Sequence, residues 1–280
     1  MGSLPHVVED CSGILQVYSD GSIFRSKEED INFPFPVHDD DSVHWKDSVF
    51  DRTHGLNLRI YKPRSSAAAV SLPIVFFFHG GGFCVGSRTW PNCHSCCLRL
   101  CAGLQAVVVA PDYRLAPEHR LPAAMDDAFC AVKLGVGSPE MAPVRVRGYV
   151  MMAPFFGGTE RTKSEAEGPP EPFLNLEILD RFWRLSLPFG GTPDHPLANP
   201  FGPASPSLEA VKLDPILVIV GSQEVLKDRV ENYAMKLKEQ KKEVDYVVFQ
   251  GKQHGFFTND PFSDVSIQVL QELQHFMSKV

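Results

Sequence analysis

Two places in the chain combine residue types that could carry acyl chemistry. The first is His79-Gly80-Gly81-Gly82, at the end of the apolar stretch Leu72–Phe78. Its glycines remove every Cβ just where the stretch ends, so backbone can approach a ligand closely. Backbone N–H groups exposed there can point at a developing oxyanion. Three glycines alone equally suit an ordinary tight turn; the flanking His79 and Phe83 add weight to the oxyanion reading. The second place is Gln253-His254-Gly255-Phe256, whose imidazole is either a general base or a surface-loop histidine. A general-base imidazole needs a carboxylate to orient it. Either aspartate or glutamate can do so and stabilise its cation.

Such groups need strands to hold them. Ile74–Phe78, bounded by Pro73 and Gly80, reads as a strand buried on both faces. Gln105–Ala110, Arg147–Ala153, Pro215–Val220 and Val244–Phe249 read as further strands. Val43–Phe50 and Leu56–Tyr61 alternate as two antiparallel strands joined at Thr53-His54-Gly55. Helices are expected over Pro91–Ala102, Pro122–Leu134, Val225–Lys238 and Phe262–Met277. The Val225–Lys238 helix would turn Val225, Tyr233 and Leu237 inward, and Val7–Tyr18 suits a strand or a short helix. Strands alternating with helices imply an α/β fold with a mainly parallel sheet and right-handed crossovers.

Together with Asp112-Tyr113-Arg114-Leu115-Ala116-Pro117-Glu118, the two motifs resemble those of the hormone-sensitive-lipase-type α/β-hydrolases. The opening residues and Gly251-Lys252-Gln253-His254-Gly255-Phe256-Phe257 are similar to the plant carboxylesterase branch, which also contains the gibberellin receptors. The resemblance runs over nearly all of residues 1–280 and implies a single α/β-hydrolase domain. A helical cap would come from approximately residues 1–40 and 155–196. Gly81 and Gly82 would supply the oxyanion hole, supported by His79 and Gly80, and His254 would be the base. The family's triad acid falls at Glu224, thirty positions before the histidine, where most relatives carry aspartate. Asp228 then reads as a helix-surface charge. The implied activity is hydrolysis of small carboxylic esters or lactones, without cofactor or metal.

One part of that pattern is absent. No serine in the chain has glycine both two places before and two places after it, so the Gly-x-Ser-x-Gly nucleophile elbow is missing. Relatives are expected to carry roughly forty more residues between Val132 and Gly148: a strand, the elbow and most of a helix. Ala131-Val132-Lys133-Leu134 looks like a seam between two helix fragments. Ser138, followed by Pro139, lacks the glycine frame and makes a poor nucleophile. With one central strand removed, Ile74–Phe78 and Gly148–Ala153 must either pair directly or face each other across an unfilled gap. Catalytic competence of the chain is therefore doubtful. The alternatives are a non-catalytic small-molecule-binding, receptor-like protein, or a spliced, deleted or mis-joined product. The resemblance implies that the receptors keep the serine and lose the histidine, the reverse of this chain.

Bulk properties agree with an ordinary globular chain. At 280 residues, 44% hydrophobic and 22% charged, it can bury one full core. A net charge of −7 argues against nucleic acid or an anionic membrane as main partner. No apolar stretch approaches the roughly 20 residues of a membrane span, and residues 1–6 lack a signal-peptide layout. A cytoplasmic location is the resulting expectation; oligomeric state is not readable. Cys93, Cys96, Cys97 and Cys101 lie close together beside His94. On a helix, three of them recur every four residues as a stripe, which suits a core-facing surface better than a metal.

Overall fold

The computed structural model describes residues 4–33, 39–64, 71–137, 145–171 and 174–280. Its strands form three sheets. Strands β1 (Val7–Cys11), β2 (Leu15–Tyr18) and β3 (Ile23–Arg25) make a small antiparallel sheet, which decides Val7–Tyr18 in favour of strand. Asp10 closes its first turn by accepting the Gly13 N–H at 2.6 Å.

The second sheet has the order β4-β5-β7-β6, from β4 (Val43–Asp51), β5 (Leu56–Pro63), β6 (Ile74–Phe76) and β7 (Val107–Pro111). The β4–β5 hairpin is antiparallel, β5 pairs antiparallel with β7, and β7 pairs parallel with β6. The third sheet, β8 (Tyr149–Met152), β9 (Ile216–Gly221) and β10 (Val244–Phe249), is wholly parallel in the order β10-β9-β8. The expected single central sheet is thus divided. Strands β6 and β8, which would flank the missing strand, do not pair with each other. Direct pairing, one of the two expected outcomes, does not occur. Side chains at and just beyond these strands are partly exposed: Phe78 is 38% exposed, Tyr149 46% and Val150 40%.

Helices α1 (Pro91–Leu104), α2 (Ala123–Gly137), α3 (Lys163–Glu167), α4 (Leu176–Ser186), α5 (Lys227–Glu239), α6 (Phe256–Asn259) and α7 (Asp264–Lys279) complete the chain. The α5 helix starts two residues later than expected, because Val225 and Leu226 belong to the loop that enters it; its buried residues are Val230, Ala234 and Leu237. The closing helix is α7, shifted two residues from the expected Phe262–Met277, and the short α6 precedes it as a separate element. Ser263 caps α7 through its hydroxyl and separates it from α6.

Strand β9 shows why the third sheet is stable on both faces. Leu217 and Ile219 enter a core shared with α1 and α7, while Ile216, Val218 and Val220 enter a second core with α4 and α5. A parallel strand covered on both sides reads as a continuous apolar run. The α1 cysteines pack into the first core with Phe77, Val108 and Leu270, and all are free thiols. Burial pushes the Cys96 and Cys101 thiols up to about 12, so they behave as small apolar groups. No helix among the described residues is long and apolar enough to cross a membrane.

Candidate active site

The glycine turn, the acid and the histidine all follow the carboxyl ends of parallel strands: β6, β9 and β10 in turn. Open α/β folds place their ligand-binding loops at that end. The turn after β6 requires glycine. Gly81 has φ +112° and Gly82 φ +58°; a Cβ on Gly81 would lie 2.0 Å from the Val85 carbonyl oxygen, and one on Gly82 would lie 2.3 Å from the Phe182 ring. The Gly81 carbonyl accepts from the Cys84 and Val85 N–H groups. The N–H groups of Gly81 and Gly82 themselves donate to no partner among the described residues. Unpaired backbone donors at a tight turn are what an oxyanion hole requires.

His79 supports that turn from beneath. It is buried; its Nδ1–H donates to the Gly80 carbonyl at 2.8 Å, and its ring stacks on Tyr113 with centroids 4.3 Å apart. The Tyr113 hydroxyl donates to the His79 carbonyl at 2.7 Å. Burial holds the His79 imidazole below its ordinary range, keeping it neutral. Its Nε2 is buried without a partner. The other polar residues of the Asp112–Glu118 motif are absorbed in positioning. Asp112 accepts the Arg88 N–H at 2.9 Å and pairs with the Arg88 guanidinium. Arg114 forks onto Asp127, and Glu118 takes both arms of Arg25. The Ala116 N–H donates to the Phe83 carbonyl at 2.8 Å, fastening the motif to the glycine turn.

Glu224 and His254 are brought together. Glu224 is fully buried; its Oε1 accepts the Gly221 N–H at 2.9 Å, and its Oε2 lies 3.3 Å from His254 Nδ1. The imidazole keeps 30% of its side chain exposed, enough for its other nitrogen to meet a ligand. Asp228 is not part of this pair. Its Oδ2 accepts the Ser164 N–H at 2.7 Å, and it lies beside Lys227. No hydrogen bond among the described residues joins the Gly80–Gly82 turn to the His254–Glu224 pair. Ser138 lies outside the described residues.

A wall of aromatic rings stands over the glycine turn. Phe155 and Trp183 stack at 4.1 Å, and Phe83 lies 6.2 to 6.5 Å from Phe155, Trp183 and Tyr113. Sequence reasoning did not single out Glu171, a buried carboxylate that hydrogen-bonds the backbone of both the acid and the base loops. No local pattern marks it; it sits in Gly168-Pro169-Pro170-Glu171, a stretch without periodicity. One group with metal-ligand spacing exists among the described residues: Asp51, His54 and Asp127. It does not suit a cation, because the Arg114 guanidinium already occupies Asp127 at 2.7 Å.

The profile of the α/β-hydrolase-fold family matches this chain in two pieces, residues 75–139 and 131–258, which meet at the 131–139 seam. A 3-O-acetylpapaveroxine carboxylesterase of Papaver somniferum is 30% identical, with 90% of this chain and 94% of the relative covered. That alignment is 305 positions long, more than the 280 residues of this chain, so part of the relative has no counterpart here. A gibberellin receptor of Oryza sativa subsp. japonica is 30% identical, with 83% of this chain and 80% of the receptor covered. Among solved structures, the thermophilic carboxylesterase EstE1, cloned from a metagenomic library, superposes with a TM-score of 0.69 at 27% identity, covering 86% of this chain and 87% of that one.

Proposed function

The chain belongs to the α/β-hydrolase family, and from that premise we propose that it is a carboxylesterase-type scaffold without an acyl-serine step. In this reading it keeps the base His254, the orienting acid Glu224 and the oxyanion donors Gly81 and Gly82, and it receives small carboxylic esters or lactones. Residues approximately 1–40 and 155–196 act as its cap, with the Phe83, Phe155 and Trp183 rings lining the acyl side. It needs no cofactor, and a cytoplasmic location belongs to the same reading.

The observation that carries the proposal is the assembled His254–Glu224 pair in a chain where no serine stands in the glycine frame. An imidazole held by a buried carboxylate is arranged to take a proton from a nucleophile. Without that nucleophile the oxyanion donors have no tetrahedral adduct to stabilise. The two-piece family match at 131–139 supports the loss of an internal segment. The test is p-nitrophenyl acetate hydrolysis together with labelling by a fluorophosphonate probe. No stoichiometric labelling is expected; labelling of any serine, Ser138 included, would sink the proposal.

A receptor-like role is the second reading: the gibberellin-receptor relative makes it possible, while the retained His254 and the absent framed serine count against it. It predicts saturable binding of a small carboxylic acid or lactone by the intact chain. Isothermal titration decides it, since binding without turnover separates it from an inert product.

A further inference from the structure

We propose that Glu171 is a positioning residue for the His254–Glu224 pair, clamping the acid-bearing loop to the base-bearing loop. The inference rests on the reading of that pair given under Proposed function. Glu171 is only 6% exposed. Its Oε1 accepts the Val225 N–H at 2.5 Å, and its Oε2 accepts the His254 N–H at 2.8 Å. Val225 directly follows the acid, and the second donor is the backbone of the base itself. One carboxylate therefore holds both halves of the pair, using a separate oxygen for each.

The chemistry requires a carboxylate. Two N–H donors converge on it from different loops, so both oxygens must accept. A glutamine would offer one acceptor and turn its NH2 group toward the other donor. Burial pushes the Glu171 carboxyl up and the Glu224 carboxylate adds to this, only partly offset by the His254 and Val225 N–H donors and the nearby His254. The clamp has a second point: the Gln253 Nε2–H donates to the Pro170 carbonyl at 3.1 Å. Besides the Glu224–His254 contact itself, few direct ties join the two loops among the described residues. The Gln223 N–H donates to the Lys252 carbonyl, and the Gly251 N–H donates to the Ser222 hydroxyl. Neither of these two touches His254 or Val225.

Glu171 arrives from the segment between α3 and α4, outside both site loops. The orientation of the imidazole is thereby coupled to the seating of that segment. When Glu171 leaves, the N–H groups beside the acid and on the base are released together.

The experiment uses the full isotopically labelled chain and its Glu171→Gln, Glu171→Asp and Glu224→Gln variants. Two signals are read by NMR: amide exchange at Val225 and His254, and the downfield proton of His254 Nδ1–H bonded to a carboxylate. Loss of a hydrogen bond to a charged acceptor corresponds to about tenfold or more. Glu171→Gln should therefore speed exchange at both amides by about tenfold or more and weaken or shift the Nδ1–H signal. Glu171→Asp, which keeps the charge but shortens the reach, should shift that signal while the chain stays folded, and it serves if the glutamine variant does not fold. The positioning role is overturned if either folded variant leaves the Nδ1–H signal unchanged while the α4 amides lose protection, since Glu171 would then only anchor α4. If the wild-type chain shows no Nδ1–H signal that Glu224→Gln removes, the pair itself is misread and the positioning role falls with it.

Discussion

Glu224 Oε2 lies 3.3 Å from His254 Nδ1, longer than the usual N–H···O separation of about 2.9–3.0 Å. Unliganded sites commonly show such loose contacts and tighten when a ligand arrives. The glutamate's extra methylene is accommodated because the Gly221 N–H fixes its other oxygen at 2.9 Å. Asp228 spends its carboxylate on the Ser164 N–H, fastening α3 to α5. The two acids are therefore separable by experiment in a chain that has regained a strand, elbow and helix at Lys133. In that background His254→Ala should abolish p-nitrophenyl acetate turnover, and Glu224→Ala should lower kcat by about two to four orders of magnitude. Asp228→Ala should cost stability and leave kcat within a few-fold. A larger kcat loss in Asp228→Ala than in Glu224→Ala would move the acid assignment to Asp228.

Under the proposed loss of an internal segment, the elements most altered would be β6 and β8. Among the described residues each pairs on one side only: β6 with β7 and β8 with β9. Side chains at or just beyond these strands are exposed, so unpaired backbone groups there can be met by water rather than left buried. The cost therefore falls on apolar surface. Phe78, Tyr149 and Val150 are exposed there, and Phe129 and Leu134 are exposed on α2, which runs into the seam. Burying a side chain of this kind contributes about 1.5–3 kcal/mol, against a total stability of about 5–15 kcal/mol. Unpaired edges also template association with other chains. A Tm well below about 60 °C, in the lower mesophile range, is expected, with concentration-dependent aggregation in light scattering. Amides of β6 and β8 should exchange faster than those of β9. A monomer with a sharp melt above about 60 °C would contradict this.

At the scale of the molecule, charge pairs hold the N-terminal sheet on the body. Arg25 takes both Glu118 oxygens and the Cys84 and Ala116 carbonyls, and Glu9 receives Arg181 and Arg184 from α4. Burial raises the Glu9 and Glu118 carboxyls, but their arginines outweigh it and hold both below the ordinary range. Burial likewise lowers the His79 and His94 imidazoles, with Arg59 adding to the effect at His94. Groups depressed in the folded state contribute stability above their unfolded pKa and lose it as pH falls through the folded value. The histidines therefore act first, below about pH 6.5, and the carboxylates below about pH 4.3. Glu171, raised by burial, works in the opposite sense. The urea midpoint should fall from pH 7.5 to pH 5, and His94→Gln should reduce that fall; a midpoint flat across this range would refute the assignment. How much of this was legible beforehand follows from the range of the interactions. Strand runs, glycine turns and helix stops are local, so the sequence determined the α/β alternation, the glycine turn after β6 and the Glu224–His254 candidates, with boundaries off by a few residues. It also determined that no serine has its glycine frame. Only the tertiary structure decided which carboxylate meets the histidine, because Glu224 and Asp228 differ in direction rather than in neighbourhood. The same holds for Glu171, recruited across 83 positions to His254, and for the separation of β6 and β8 into different sheets. Such long-range contacts are set by how the sheets and the loops between them pack, and no local pattern encodes them.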